Sequence, residues 1–441
     1  MNTPICDFLE KYAQSGTGRF HMPAHKGSES PFDITEIAGA DSLYEADGII
    51  KESEKNASSL FGCDTFYSTE GSSHCIRAML FMLSKYAKLR GEKPLILAAR
   101  NAHRAFINAA VLCDFNTEWI YPENSGSFLS CPISASLLDR KLNAMPQKPV
   151  AVYLTSPDYL GNLQDIKALS EVCRRYGVLL CMDNAHGAYL KFLNESLHPI
   201  DLGADLCCDS AHKTLPVLTG GAYLHVSDDA PQFFHREAKA ALSLFGTTSP
   251  SYLILASLDR ANRAIKEMRI SLPVFAKICD DLKEKLINHG YEVLGTEILK
   301  TTILTSKYGY LGTDFADILR KKGIECEFSD RNTVVFMLSP LEGNCSLEKL
   351  CEALLSIEKR ESIYSEPPQV LPLEIKTSPR EAAFMDSEQV PVLDAVGRTS
   401  AFSTVSCPPA VAIAVCGEVI SPAAAETMLY YGKDVCSVIK E

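Results

Sequence analysis

Three separated features of the sequence carry polar groups suited to holding one charged ligand. Asp183 follows the apolar run 178–182, Lys213 follows the run 205–209, and residues 68–74 (STEGSSH) form a small-residue turn before an amphipathic stretch. Free backbone N–H groups at such a helix start favour an anion. Taken singly, the aspartate is more often a turn or cap residue, the lysine a solvated charge and the serines helix caps.

In combination these features predict a pyridoxal phosphate site. The phosphate needs N–H and hydroxyl donors, the pyridine nitrogen needs a carboxylate that keeps it protonated, and the aldehyde needs a lysine amine to form a Schiff base. The turn at 68–74, Asp183 and Lys213 offer one of each. An aromatic or imidazole ring stacked over the pyridine is the usual fourth part.

The elements that must position these groups follow from the hydrophobic pattern. Short apolar runs predict buried strands at 93–98, 149–155, 178–183, 205–209 and 222–226. Helical spacing of apolar residues predicts helices at 72–90, 103–113 and 166–176 and a long helical stretch from Ser251 towards Leu286. This alternation predicts an α/β fold with a mostly parallel sheet between helices, and ligands bind such sheets at the carboxyl ends of the strands.

Changes in the pattern predict four parts. Residues 1–60 have weak periodicity and are predicted to be an irregular N-terminal arm, and residues 61–255 form the large cofactor-binding domain. Residues 256–365 form a small α/β domain, and residues 366–441 begin with a proline-marked stretch and form a C-terminal region. The smaller C-terminal part as a whole is expected to be α+β.

The composition of the chain argues against some classes of binding partner. The 441 residues carry a formal net charge of −12, which repels phosphate backbones and anionic lipids, so neither nucleic acid nor membrane partners are expected. The N-terminus has no basic and apolar leader, and no apolar run reaches the ~18 residues of a membrane span. The 16 cysteines include apolar-run residues such as Cys181 and form no C-x-x-C pair, so we expect a cytoplasmic protein without a metal site.

Ten short motifs resemble the bacterial ornithine/lysine/arginine decarboxylase family. They are FHMPAHKG at 20–27, STEGSS at 68–73, RNAHR at 100–104, TSPDY at 155–159, DNAHG at 183–187, DSAHKTL at 209–215, TTSPSY at 247–252, SPREA at 378–382, GRTSA at 397–401 and GE at 417–418. The resemblance covers nearly the whole chain in the family's order. It implies an aspartate-aminotransferase-like large domain, bound pyridoxal phosphate and decarboxylation of arginine, lysine or ornithine towards polyamines. It also implies the short form of the family, without the N-terminal receiver-like domain.

Carried over position by position, the resemblance implies roles around the cofactor ring. Lys213 matches the Schiff-base lysine, Asp183 the partner of the pyridine nitrogen, and His103 the ring stacked on the cofactor face. His186 and His212 match positions that flank the ring and the Schiff base. For His212, a purely structural role in shaping the lysine turn stays open.

The resemblance also implies a phosphate site shared between two subunits. The matching phosphate-binding residues are Ser72, Ser73 and Ser210, with Gly71 allowing the tight turn. Thr248 and Ser249 match a segment that reaches the phosphate of the neighbouring subunit in the family. An obligate homodimer with shared active sites is therefore implied.

Two departures from the family pattern concern the substrate. The family usually has Ser-Ala-Glu where this chain has Phe402 after Ser400 and Ala401, and residues 407–412 (CPPAVA) replace Tyr-Pro-Pro-Gly-Ile-Pro. In the family this region lies near the substrate's side chain, where a carboxylate suits a cation, and an unpaired buried cation is costly. Asn184, where an acid is common, is a milder change.

Three functions therefore stay open. The first is decarboxylation of a basic amino acid, with another acid of the chain meeting the distal cation. The second is a different pyridoxal phosphate reaction on a non-basic amino acid, such as transamination or lyase chemistry. An aminotransferase presents an arginine to the substrate α-carboxylate, and Arg380 and Arg398 are the candidates for that role. The third is a catalytically silent cofactor-binding or regulatory protein.

Overall fold

The computed structural model describes residues 1–123, 127–369, 371–403 and 410–440. The helices are α1 Pro4–Gln14, α2 Ile49–Phe61, α3 Ser72–Leu89, α4 Arg104–Cys113, α5 Ala135–Ala144, α6 Ile166–Tyr176, α7 Ala211–Thr214, α8 Gln232–Ser243, α9 Tyr252–His289, α10 Gly312–Lys321, α11 Asn344–Leu355, α12 Pro379–Phe384 and α13 Pro422–Tyr430. The strands are β1 Asp64–Ser68, β2 Leu95–Ala99, β3 Asn116–Ile120, β4 Ala151–Thr155, β5 Leu179–Asp183, β6 Leu206–Asp209, β7 Ala222–Val226, β8 Val293–Leu294, β9 Lys300–Leu304, β10 Phe328–Ser329, β11 Thr333–Met337, β12 Ser387–Pro391 and β13 Val435–Ile439. The strands and the three shorter helices predicted from the sequence are thus confirmed to within about two residues at each end.

Among the described residues, the central sheet has seven strands in the order β1-β7-β6-β5-β4-β2-β3. Strands β4, β5 and β6 are parallel neighbours, whereas β7 runs antiparallel to both β6 and β1. The carboxyl ends of β4, β5 and β6 therefore lie at one edge of the sheet. The prediction of an α/β fold with a mostly parallel sheet is confirmed.

Helix α3 forms where its sequence places one apolar stripe. Ile76, Leu80, Leu83 and Ala87 recur at helical spacing and are buried, and the helix packs against α8 and β7. Burying each of the larger side chains contributes about 1.5–3 kcal/mol relative to exposure. The helix stops before Gly91, whose φ of +73° suits glycine and few other residues.

The N-terminal segment is more regular than the sequence pattern predicted. The expectation of an irregular arm is wrong for α1 and α2, which occupy part of residues 1–61. Helix α1 has no side-chain cap of its own, and the carboxylate of Asp259 on α9 accepts hydrogen bonds from the backbone N–H groups of Ile5 and Cys6, both at 3.0 Å. A cap supplied from so far along the chain leaves no local signal in the sequence.

Contacts group the chain into two compact units. The first comprises residues 1–96, 145–156 and 166–270, and the second comprises residues 97–144, 157–165 and 271–441. The predicted borders near residues 60, 255 and 365 stay a prediction. No helix within the described ranges is both long enough and apolar enough to cross a membrane.

The second unit contains two further sheets. Strands β10, β11, β9 and β8 form an antiparallel sheet in that order, and β12 pairs with β13. Side chains from the C-terminal residues, including Val392, Ile413, Ile420 and Met428, form a buried apolar cluster of their own.

Candidate active site

Two polar strand ends lie side by side in the first unit. Strand β5 ends at Asp183 and its parallel neighbour β6 ends at Asp209, with Asp183 directly opposite Cys208 in the register. Asp183 is only 2% exposed. The sheet thus presents a buried carboxylate where open α/β sheets bind their ligands.

The carboxylate of Asp183 is held by groups on three sides. Its Oδ2 accepts a hydrogen bond from the Tyr153 hydroxyl at 3.2 Å, and its Oδ1 accepts from the Ala185 N–H at 3.2 Å and from the Cys208 thiol at 3.8 Å. Burial raises the pKa of Asp183, and the nearby positive charge of Lys213 opposes this rise only in part. A cationic ligand group placed against this carboxylate would favour its ionised form.

Lys213 lies on the short helix α7, directly after β6. Its backbone N–H donates to the Ser210 carbonyl at 3.0 Å, which shapes the turn, and its Nζ lies 2.9 Å from His186 Nε2. Because β5 ends at Asp183 and its parallel neighbour β6 ends just before this helix, Lys213 and Asp183 lie at the same edge of the sheet. The structure therefore brings together Lys213, His186 and Asp183, three of the residues predicted from the sequence.

His212 points its ring towards the backbone of the same turn. Its Nδ1 lies 3.0 Å from the Gly221 carbonyl, which can only accept, so Nδ1 carries the proton. Burial lowers the pKa of His212, the bond to Gly221 opposes this, and the charge of Lys213 lowers it further. These contacts fit the structural role in the turn, and the catalytic role of His212 stays a prediction.

The start of α3 is the segment that the sequence predicts to be an anion cradle, and the binding of an anion there stays a prediction. Gly71 precedes the helix with φ +74° and ψ 174°, and its N–H donates to the Gly220 carbonyl at 2.7 Å. The helix has 18 residues and no side-chain cap, so its first N–H groups and its dipole are available to an anion. The Ser210 hydroxyl donates to the Ser72 hydroxyl at 2.8 Å, so two predicted phosphate-binding residues meet. Ser73 follows on the first turn.

His103 is the N-cap residue of α4 in the second unit. Its Nδ1 accepts a hydrogen bond from the Ala105 N–H at 3.1 Å, so the proton of the neutral ring lies on Nε2. The Arg104 N–H donates to the Ala410 carbonyl at 2.7 Å. Nearby, the buried guanidinium of Arg100 pairs with Glu418 at 3.1 Å, which anchors the C-terminal segment that carries the GE motif. The stacking role of His103 stays a prediction.

The predicted inter-subunit residues Thr248 and Ser249 are exposed. Two hydrogen bonds connect their segment to the residue before Gly71. The Thr247 N–H donates to Glu70 Oε1 at 2.6 Å, and the Ser249 N–H donates to Thr247 Oγ1 at 3.1 Å. Glu70 directly precedes Gly71.

The positions at which this chain differs from the family pattern lie partly within the described residues. Phe402 is 52% exposed, and its carbonyl accepts a hydrogen bond from the Ser400 hydroxyl at 2.9 Å. Residues 407–409 of the altered CPPAVA segment lie outside the described residues. Asn184 is fully buried and donates to Asp209 at 2.7 Å.

Sequence reasoning missed several groups that support the site. Tyr153 on β4 donates to Asp183, and Asp209 on β6 binds Asn184. Tyr153 lies two residues before the end of a predicted strand, and that position was the only signal that could have drawn attention to it. The partners Asn184, His198 and His225 lie 11 or more residues from Asp209 in the sequence and leave no pattern near it.

Comparison with known proteins agrees with this geometry. The family model "Orn/Lys/Arg decarboxylase, major domain" matches residues 3–281. The chain is 29% identical over 458 residues to the uncharacterized protein YaaO of Bacillus subtilis, covering 96% of this chain and 92% of that protein. It is 28% identical over 456 residues to arginine decarboxylase of the same organism, covering 95% and 91%.

Solved structures agree in fold. The lysine decarboxylase LdcF of Francisella novicida superposes with a TM-score of 0.82 at 18% identity, covering 99% of this chain and 81% of that one. Lysine decarboxylase A of Pseudomonas aeruginosa gives a TM-score of 0.81 at 18% identity, covering 99% and 80%. The predicted fold class, with its aspartate-aminotransferase-like large domain, is confirmed.

Fold and site together define a pyridoxal phosphate-dependent enzyme of the decarboxylase class. The chain belongs to the Orn/Lys/Arg decarboxylase family, as its motifs predicted. The donor set of the structure fits the cofactor, because it includes a lysine amine, a buried carboxylate and an uncapped helix start beside two serine hydroxyls.

Proposed function

We propose that the protein decarboxylates a basic amino acid, arginine, lysine or ornithine, and releases the amine and carbon dioxide. The observation that carries the proposal is the convergence of Lys213 and Asp183 at one edge of the sheet, beside the cradle at Gly71 and Ser72, in a chain of this family. Family relatives named arginine decarboxylase match over most of their length and support the basic substrate.

The proposed cofactor contacts use the residues predicted from the sequence. Lys213 would hold pyridoxal phosphate covalently, Asp183 would bind its ring nitrogen, and His103 would stack on the ring. The phosphate would be held by the start of α3 and by the hydroxyls of Ser72, Ser73 and Ser210. When bound, the cofactor supplies a protonated ring that accepts the electron pair released as the Cα–carboxylate bond breaks.

The residues of this chain have three tasks in that reaction. Asp183, oriented by Tyr153 and the Ala185 N–H, keeps a proton at the ring nitrogen. Lys213 would release the product amine after the reaction, and its Nζ lies 2.9 Å from His186 Nε2. One of these two groups would return a proton to Cα, and the pair provides a path by which that proton is replaced.

Contacts of the two candidate arginines favour decarboxylation over transamination. Arg398 pairs with Glu388 at 2.6 Å, and Arg380 donates to the Val111 carbonyl at 2.9 Å. An aminotransferase needs a guanidinium for the substrate α-carboxylate, whereas a decarboxylase must let that group leave. Both guanidinium groups already bind protein partners.

The residue Phe402 favours a second candidate function. A half-exposed aromatic ring at the family's glutamate position removes a partner for a distal cation. The alternative function is therefore a pyridoxal phosphate reaction on a non-basic amino acid. A catalytically silent homologue is the remaining possibility and is distinguished by the same assays.

We also propose a cytoplasmic homodimer that serves polyamine synthesis. The exposure of Thr248 and Ser249, residues expected to reach a neighbouring phosphate, supports the dimer. Within the described ranges no disulfide joins the cysteines and most of them are buried, which fits a reducing compartment. Amines from basic amino acids are the building blocks of polyamines.

The test is a panel of amino acids assayed for carbon dioxide and for keto acid. Release of carbon dioxide from arginine, lysine or ornithine supports the proposal, and keto acid without gas supports the alternative. Borohydride reduction followed by peptide mass analysis should label Lys213 in the wild type and nothing in Lys213→Ala. A wild-type protein that takes up no pyridoxal phosphate would overturn the proposal.

A further inference from the structure

A second buried polar network lies behind the candidate active site, and we call it the Asp209 cluster. It consists of Asn184, His198, Cys207, Asp209 and His225. Asp209 Oδ2 accepts from His198 Nε2 and from His225 Nε2, both at 3.1 Å. Asp209 Oδ1 accepts from Asn184 Nδ2 at 2.7 Å and from the Cys207 thiol at 3.7 Å. A carboxylate has about four acceptor positions, and here all are used.

The cluster occupies the opposite face of the sheet from Asp183. Side chains alternate between faces along a strand, and on β6 the thiol of Cys208 contacts Asp183 whereas Cys207 and Asp209 contact each other. Asp209, His198 and His225 are all fully buried. The cluster therefore makes no direct contact with a ligand on the Asp183 face.

Charges inside the cluster stabilise one another. Burial alone would raise the pKa of Asp209, but the charges and hydrogen bonds of His198 and His225 outweigh burial and hold this pKa well below its usual range. Burial lowers the pKa of His225, yet Asp209 outweighs it and the net direction is upward. The pair therefore favours an ionised Asp209 and the charged form of His225, and His198 is a further hydrogen-bond donor to the same carboxylate.

The cluster is joined to both halves of the cofactor site through the backbone. Asp209 directly precedes Ser210, whose hydroxyl reaches Ser72 and whose carbonyl accepts from the Lys213 N–H. Asn184 directly follows Asp183, and its N–H donates to the Cys208 carbonyl at 3.0 Å. The hydrogen bond from Asn184 to Asp209 therefore links the two strand ends.

We propose that Asp209 is a positioning residue for the cofactor site. Its carboxylate holds the ends of β5 and β6 at the separation at which Asp183 and the Ser210–Lys213 turn bind opposite ends of one cofactor. The inference rests on the proposed function, since it concerns the same cofactor. Such outer supports fix the orientation of the groups that touch a ligand, and their loss weakens binding without removing a contact.

A metal ion is the competing explanation for the cluster. Ligand atoms of His198, Cys207 and Asp209 lie within 4.8 Å of one another, which is close enough for a shared ion. One observation favours hydrogen bonding, namely that the acceptor positions of Asp209 are filled by protein donors.

The experiment measures cofactor binding and stability separately. Wild type, Asp209→Asn and Asn184→Ala are prepared without cofactor and titrated with pyridoxal phosphate. Binding is monitored by the absorbance and the induced circular dichroism of the cofactor. Thermal unfolding of the cofactor-free proteins gives their stability. Asp259→Asn is the matched control, because Asp259 is equally buried and accepts hydrogen bonds from Ile5 and Cys6 at the start of α1 and from Ser53 on α2, rather than at the cofactor site.

We expect all three variants to lower the unfolding temperature. Only Asp209→Asn and Asn184→Ala should raise the dissociation constant of the cofactor and alter its induced circular dichroism. The expected increase is about tenfold or more, as is found when a residue that orients a metal ligand is lost. If Asp209→Asn does not fold, Asn184→Ala carries the test, because it leaves Asp209 paired with both histidines.

Two results would overturn the inference. One is a dissociation constant in the cluster variants equal to that of Asp259→Asn. The other is a metal ion bound one per chain by elemental analysis, lost in Asp209→Asn. Failure of the proposed function is distinguishable, because it is measured on the wild type alone, which would then bind no cofactor or release no carbon dioxide from a basic amino acid.

Discussion

At the scale of single residues, the site depends on a carboxylate placed where water does not reach. Asp183 is held by Tyr153, the Ala185 N–H and the Cys208 thiol, and burial raises its pKa. The energy that burial costs would be offset by a cationic ring nitrogen bound there. The ionised carboxylate would then favour a protonated ring over an uncharged one.

Replacing Asp183 should damage catalysis far more than folding. We expect Asp183→Asn to lower kcat by about 10²-fold or more, because a neutral amide cannot hold the proton on the ring nitrogen. Steady-state kinetics of the cofactor-loaded enzyme measure this. Tyr153→Phe is the control, since it removes only one orienting hydroxyl and should reduce kcat much less. Full activity in Asp183→Asn would contradict the assigned role.

His225 should make stability depend on pH. Its folded pKa lies above the ordinary value, so its contribution is fully present below about pH 6.5 and is lost as pH rises through the folded pKa. The titratable groups around it are Asp209, His198, Cys63 and Tyr223. We expect the difference in unfolding free energy between wild type and His225→Gln to shrink from pH 6 to pH 9 in urea titrations. A difference that grows with pH would show that folding lowers the pKa of His225 instead of raising it.

At the scale of elements, the start of α3 is the part most sensitive to backbone geometry. Gly71 has φ +74° and ψ 174°, a region that only glycine adopts readily, and a Cβ there would have open space around it. The strain of any substitution at Gly71 would therefore come from the backbone and not from a collision.

Gly71→Ala should cost about 1–3 kcal/mol of stability and weaken cofactor binding as well. Gly91→Ala is the matched control, because Gly91 also has a positive φ and open space but follows the other end of α3. We expect Gly91→Ala to lose roughly 1–2 kcal/mol while its cofactor affinity stays at the wild-type level. Chemical unfolding and cofactor titration of both variants provide the comparison. Equal cofactor affinities of the two variants would argue against a role of the start of α3 in cofactor binding.

At the scale of the whole molecule, the proposed dimer predicts complementation between inactive subunits. Lys213→Ala lacks the amine, and Ser249→Asp places a negative charge where a neighbouring phosphate is expected. If sites are shared, a co-expressed mixture should regain about a quarter of wild-type activity, because half the dimers then hold one intact site. The two variants purified separately should each be nearly inactive. A co-expressed mixture no more active than its components would rule out shared sites.

The sequence by itself determined the elements and the main chemical groups. Apolar periodicity placed α3 and the strands β4 to β7 because local spacing encodes which face of a segment is buried. The motif residues Asp183 and Lys213 stood out because each follows a predicted strand, and the structure places both at one edge of the sheet.

Tertiary structure alone decided what surrounds those groups. Asp209 meets His225 and Asn184, which lie 16 and 25 residues away, because β5, β6 and β7 pair side by side, and it meets His198, 11 residues away, through the loop before β6. The cap of α1 by Asp259 is similarly remote. Hydrogen bonds between distant side chains depend on strand order and direction, and a strand has the same apolar pattern whichever neighbour it pairs with and in either direction. The chemistry of the site could therefore be predicted from residue types, whereas the contacts that hold it in place could not.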